Sequence, residues 1–125
     1  MSAWRRKALE FLPQFRNAIE SSDSPGMLWV EISNEFRDHA IEREDQEFIE
    51  GTLKYLSWST SSAAGESSQQ SALCGFLEDI TYNKKHWILF KDWFDKPQFE
   101  RYKGSFQYAL SENEFAQLED LFYDR

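Results

Sequence analysis

Phe94-Asp95-Lys96-Pro97-Gln98-Phe99 and, sixteen residues further on, Leu110-Ser111-Glu112-Asn113-Glu114-Phe115 carry the same helix-start pattern. In each, a residue suited to an N-cap (Asp95, Ser111) is followed three positions later by Gln98 or Glu114, the spacing of a capping box. In each, the apolar residue before the cap is placed to pack on the aromatic four positions after it, as a hydrophobic staple. Pro97 suits a first helical turn, where its missing N–H has no intrahelical partner to lose. Helices are therefore expected from near 96 and near 112. Phe99, Tyr102, Lys103 and Phe106 form the inner face of one, and Phe115, Leu118, Leu121 and Phe122 that of the other. The pair reads as a capped helical hairpin closing the chain.

Upstream, apolar residues recur at steps of three and four. Trp4, Ala8, Phe11, Leu12, Phe15, Ala18 and Ile19 make a helical stripe over 3–21, which Pro13 must kink or divide. Ser21 to Ser24 supply stop and cap chemistry, and Pro25 opens a helix running to about 41 with Leu28, Trp29, Ile32, Phe36 and Ala40 inward. A third helix spans about 44–59, with Phe48, Ile49, Thr52, Leu53 and Leu56 inward and Tyr55 at the edge of that face. Glu44, Asp45 and Glu47 fall at its start, where the macrodipole favours carboxylates. Residues 59–71 are Ser-, Ala- and Gln-rich with Gly65, and read as a polar connector. A fourth helix is expected over 70–81, with Gly75 admitting a close neighbour at a cost of about 1 kcal/mol against alanine. Residues 82–94 are too densely aromatic to show a period. A short buried helix fits there better than a strand.

The result is an all-α protein with about six helices in a single compact domain, 1–125. The chain is long enough to bury a core unaided, and five Trp, five Tyr and eleven Phe argue against disorder. No apolar run is long enough to cross a membrane, and Arg5, Arg6 and Lys7 are not followed by the apolar stretch of a secretory signal. One cysteine excludes an internal disulfide and a multi-cysteine zinc site. A cytoplasmic protein, monomeric when free, is expected. With a net charge of −8 the chain would repel nucleic-acid phosphates, so a basic partner fits better than DNA or RNA.

Residues able to carry chemistry are few. His39 stands among Glu35, Asp38 and Glu42, but the paired Glu-x-x-His motifs of a di-metal bundle are absent, and the group reads as a solvated acidic face. His86, beside Lys84, Lys85 and Trp87, reads as a surface or interface residue. Cys74 reads as a small buried thiol with no base to activate it. There is no phosphate-binding loop and no activated-serine motif. A non-enzyme with no catalytic, cofactor-binding or metal-ligating residues, and no cofactor, is the expectation.

The charge layout says more. Residues 31–50 hold eight acids against Arg37 and Arg43, while 84–103 hold six Lys or Arg against three acids. Either the acids are ordinary helix surface, or they form a patch that steers a basic partner into place. In the second case Glu31, Glu35, Asp38, Glu42, Asp45 and Glu47 are the candidate partner-binding residues. Trp29, Trp58, Trp87 and Trp93 are too many to be fully enclosed together, which leaves an aromatic anchor for the same surface.

Met27-Leu28-Trp29-Val30-Glu31, Leu56-Ser57-Trp58, Ala72-Leu73-Cys74-Gly75-Phe76-Leu77-Glu78 and the run from Phe106 to Phe115 resemble a family of small bacterial all-helical proteins. These are packing motifs without chemistry. In size and acidity such proteins resemble cytosolic immunity proteins. The resemblance implies a toxin inhibitor that covers a cognate toxin domain bearing a basic surface. A small adaptor or structural subunit of a bacterial complex is the alternative, and a metal-binding helical enzyme using His39 is a third.

Overall fold

The computed structural model describes residues 1–125, and all of its regular structure is helical. Eight helices are present where about six were expected. Two features account for the difference. Pro13 divides the first stripe into α1 (Ala3–Phe11) and α2 (Arg16–Ser21), joined by the 3-10 turn Pro13–Phe15. The dense aromatic stretch forms a 3-10 segment, Lys84–Leu89, that runs into a short helix, Phe90–Trp93.

Between these lie three longer helices. Helix α3 (Pro25–Glu35) is continued by a π-helical turn, Phe36–Ala40. Helix α4 is Gln46–Ser59. Helix α5 begins as Glu66–Ala72, passes through a second π-helical turn, Leu73–Leu77, and ends as Glu78–Tyr82. The polar connector is therefore shorter than expected. Its second half, with buried Ser68 and Ala72, is the first two turns of α5. Gln69 Nε2 donates to the Ser61 carbonyl at 3.0 Å and ties that start to the end of the connector. The chain closes with α6 (Phe90–Trp93), α7 (Lys96–Ala109) and α8 (Glu112–Tyr123). No helix is long and apolar enough to cross a membrane.

Both capping boxes form. Asp95 accepts from Gln98 N at 2.8 Å and Gln98 Oε1 from Asp95 N at 2.9 Å, while Ser111 and Glu114 exchange the equivalent pair, each at 3.2 Å. Each box satisfies backbone N–H groups that the helix itself leaves open.

The chain divides into two compact units, Met1–Phe76 and Leu77–Arg125. In the first, α3 supplies Leu28, Trp29, Ile32 and Phe36 to the core, and α4 supplies Phe48, Ile49, Tyr55 and Leu56. Trp29 stacks on Tyr55 at 5.1 Å, and Tyr55 OH donates to the Trp4 carbonyl at 2.9 Å, which pins α1 to α4. At Gly51 the backbone of α4 lies close against the end of α1. A Cβ there would lie 2.4 Å from the Phe11 carbonyl oxygen, whereas one at Gly75 would meet Trp29 Cβ at an ordinary 3.7 Å. The second unit is built on Phe90, Phe94, Phe99, Phe106 and Phe122, and Phe99 stacks on Phe122 at 4.0 Å to close the α7–α8 hairpin.

Candidate functional site

Helix α3 organises the acidic surface. Ser24 caps it, accepting from Met27 N at 3.2 Å, and Pro25 sets the first turn. With Leu28, Trp29, Ile32 and Phe36 turned inward, 3.6-residue periodicity puts Met27, Val30, Glu31, Asn34 and Asp38 on the exposed side. After the π turn the chain reverses over residues 41–45. Glu44 takes a left-handed φ of 52°, and Asp45 N donates to the Ala40 carbonyl at 3.0 Å.

The six candidate contact residues are not equivalent. Glu31, Glu42 and Glu47 are exposed, and none of them forms an ion pair. Glu35 is half-buried. Asp38 is exposed but engaged. The Arg37 guanidinium lies 2.9 Å away and holds its carboxyl below the usual carboxylate range. Asp45 is the N-cap of α4, its carboxylate accepting from Phe48 N at 3.1 Å. Glu44 and Glu50 add two further exposed carboxylates outside any ion pair. The surface thus offers Glu31 on α3 and Glu42, Glu44, Glu47 and Glu50 around the turn into α4.

The basic stretch behaves differently. Lys84 pairs with Glu114 at 3.4 Å, Lys91 with Asp124 at 3.7 Å, and Lys103 with Glu119 at 3.3 Å. Three of its six positive charges are thus met by the unit's own C-terminal acids. Glu119 is also paired with Arg125 at 3.0 Å.

Two expectations need correction. Cys74 is exposed rather than buried, because Ala72, Phe76, Leu77 and Ile80 take the inward positions of α5. His86 is 8% exposed, since the 3-10 segment turns it inward beside Trp87. Burial, and then the neighbouring Lys85 charge, hold its imidazole below the ordinary histidine value. As expected, the four tryptophans singled out are not all enclosed: Trp29, Trp87 and Trp93 are buried, and Trp58 is half-buried, stacked on Tyr55 at 6.0 Å. His39 is exposed, and no three His, Cys, Asp or Glu side chains converge anywhere as a metal-binding group.

Sequence reasoning missed Met27 and Val30, which are 49% and 54% exposed. They lie three apart and beside the Leu28–Trp29–Ile32 stripe, so their spacing already placed them off the core face. Together with Ala18, Ser21, Ser22 and Glu31 they line an open groove of about 360 Å3 between α2 and α3. A second depression, of about 370 Å3, is formed by Glu100, Glu119, Tyr123 and Arg125. Tyr123 OH donates to Glu100 there, and that carboxylate raises the phenol above its usual range.

No family model, no curated protein and no solved structure matches this chain.

Proposed function

We propose that this protein is a binding protein of the immunity type, one that neutralises a toxin domain by covering a basic surface on it. The observation that carries the reading is the set of exposed carboxylates at Glu31, Glu42, Glu44, Glu47 and Glu50, none of which is in an ion pair. An acidic surface left uncompensated by the protein's own cations raises the association rate with a cationic partner and disfavours acidic ones. Many toxin active sites that act on nucleic acids are cationic, and a carboxylate cluster can occupy the place of phosphates. The cytoplasm is the compartment in which such an inhibitor would protect its own cell.

The test is capture of the partner from the native cell, identification by mass spectrometry, and co-expression. A basic partner whose toxicity is suppressed by this chain, and restored by Glu42→Lys with Glu47→Lys, supports the reading. A partner without toxicity, or protection indifferent to both charges, overturns it.

A further inference from the structure

The groove between α2 and α3 has an unusual balance of donors and acceptors. Ser21 Oγ and Ser22 Oγ both spend their hydrogens on the Ala18 carbonyl, at 3.2 and 2.7 Å. The Ser22 carbonyl already accepts from Arg5 Nη2 at 2.6 Å. The remaining charged group is Glu31, exposed and outside any ion pair. With the Ala18 and Ser22 carbonyls already accepting and Ser22 itself buried, the open polar groups of the groove are the exposed Ser21 hydroxyl oxygen and the Glu31 carboxylate, both acceptors, while the hydroxyl hydrogens are committed within it. Its other wall is apolar, through Met27 and Val30.

A side chain that satisfies both halves needs an aliphatic stem and a cationic, donor-only head. Lys and Arg have that construction, covering apolar surface with their methylenes while the head stays hydrated or paired. An acidic side chain would set acceptors against acceptors, and an amide, though it has N–H donors, brings no charge to meet Glu31.

We propose that the α2–α3 groove is the anchor point for a Lys or Arg side chain of a basic protein partner. Its stem lies along Met27 and Val30, and its head pairs with the Glu31 carboxylate. This rests on the proposed acidic binding surface and deepens it. The exposed side of α3 that carries Glu31 leads on through Asn34 and Asp38 to the turn bearing Glu42 and Glu44, so a partner anchored in the groove has the unpaired carboxylates further along the same helix. The assignment also separates two roles. The groove residues hold the partner and set its dissociation rate. The acids of 42–50 draw it in and set the salt dependence of association.

The experiment titrates the full chain, labelled with 15N, against three synthetic helical peptides: one of Leu and Lys, one of Leu and Glu, and one of Ser and Lys. The Leu/Lys peptide is expected to bind and shift the amide resonances of Ala18, Ser21, Met27, Val30 and Glu31. The Leu/Glu peptide should not bind, and the Ser/Lys peptide should bind about tenfold more weakly for want of apolar contact around its cation. Met27→Ser with Val30→Ser should weaken Leu/Lys binding about tenfold without changing the circular dichroism spectrum, since both side chains are exposed. Glu31→Gln should weaken it and flatten its salt dependence. Shifts confined to residues 42–50, or affinity unchanged by the Met27/Val30 and Glu31 variants, would overturn the groove and leave the acidic-surface reading standing. Failure of the Leu/Lys peptide to bind at all overturns the groove. The acidic-surface reading is then decided separately by Glu42→Lys with Glu47→Lys against the captured partner.

Discussion

The hydroxyl of Ser33, buried on α3, donates to the carbonyl of Gly75 in the π turn of α5 at 2.8 Å. It joins the two helices that each contain a π turn, and Phe36 and Phe76, one from each turn, meet edge to face at 5.0 Å beside it. A π turn widens the helix and disturbs its ladder of carbonyl bonds. The Ser33 bond supplies an acceptor of this region with a donor from outside its own helix. Ser33→Ala should therefore lower stability by about 1 kcal/mol, the net value of one such bond, read as a lower urea midpoint with unchanged slope. An unchanged midpoint would show that the carbonyl is adequately served within α5.

Two glycines make opposite predictions. A Cβ on Gly51 would stand 2.4 Å from the Phe11 carbonyl oxygen and 2.7 Å from Leu12 Cδ2, so backbone would have to move. Gly51→Ala should cost roughly 1–3 kcal/mol despite alanine's better helix propensity. Gly104, inside α7, has nothing within 4 Å of the equivalent position. Gly104→Ala should stabilise by about 0.4–1 kcal/mol through the unfolded chain. Thermal unfolding of the two variants side by side is the check. Equal signs would contradict the packing of α1 on α4.

His86 sets a pH dependence. Its folded-state imidazole is held below the ordinary value, by burial first and the Lys85 charge second, while in the unfolded chain it takes up its proton at about 6.5. Above that pH neither state is protonated and His86 contributes nothing to the slope. As pH falls through 6.5 the unfolded state binds the proton first, so stability declines until the folded-state value is passed. Urea midpoints measured from pH 7.5 to 5.5 should fall, and His86→Gln should flatten that part of the profile. A profile identical in the variant would place the slope on other groups.

Much of the fold was legible because its signals are local. The caps at Asp95 and Ser111, the break at Pro13 and the start at Ser24 depend on residues within one turn of each other. What escaped depends on packing. Residues 66–69 show no apolar stripe, because α5 buries Ser68 and Ala72 rather than large side chains. A π turn has no residue signature of its own, and one contains Cys74 while the other contains His39. The glycine at a close approach is Gly51 rather than Gly75, and nothing short of the α1–α4 contact distinguishes them. Of the candidate contact residues, charge was readable and engagement was not. Asp45 could be suspected as a cap, but the Arg37 pairing of Asp38 needed the side-chain geometry.

The acidic surface yields the last prediction. Glu35 and Asp38 are poor probes of it, since Glu35 is half-buried and Asp38 is held by Arg37. Glu42 and Glu47 are exposed and outside any ion pair, so replacing them removes charge without breaking an internal contact. Glu119 and Asp120 would be unsuitable controls, because both are paired with Arg125. Gln107 and Gln117 are exposed on α7 and α8, and changing both to Lys alters net charge by the same amount as Glu42→Gln with Glu47→Gln. Against the captured partner, the Glu42/Glu47 variant should slow association and reduce its salt dependence, with a smaller effect on dissociation. The Gln107/Gln117 variant should leave association nearly unchanged if the partner responds to local potential rather than total charge. Stopped-flow association at several salt concentrations separates the two. Equal slowing in both variants would mean that only the net charge of the protein is felt, and residues 42–50 would then be ordinary solvated helix surface.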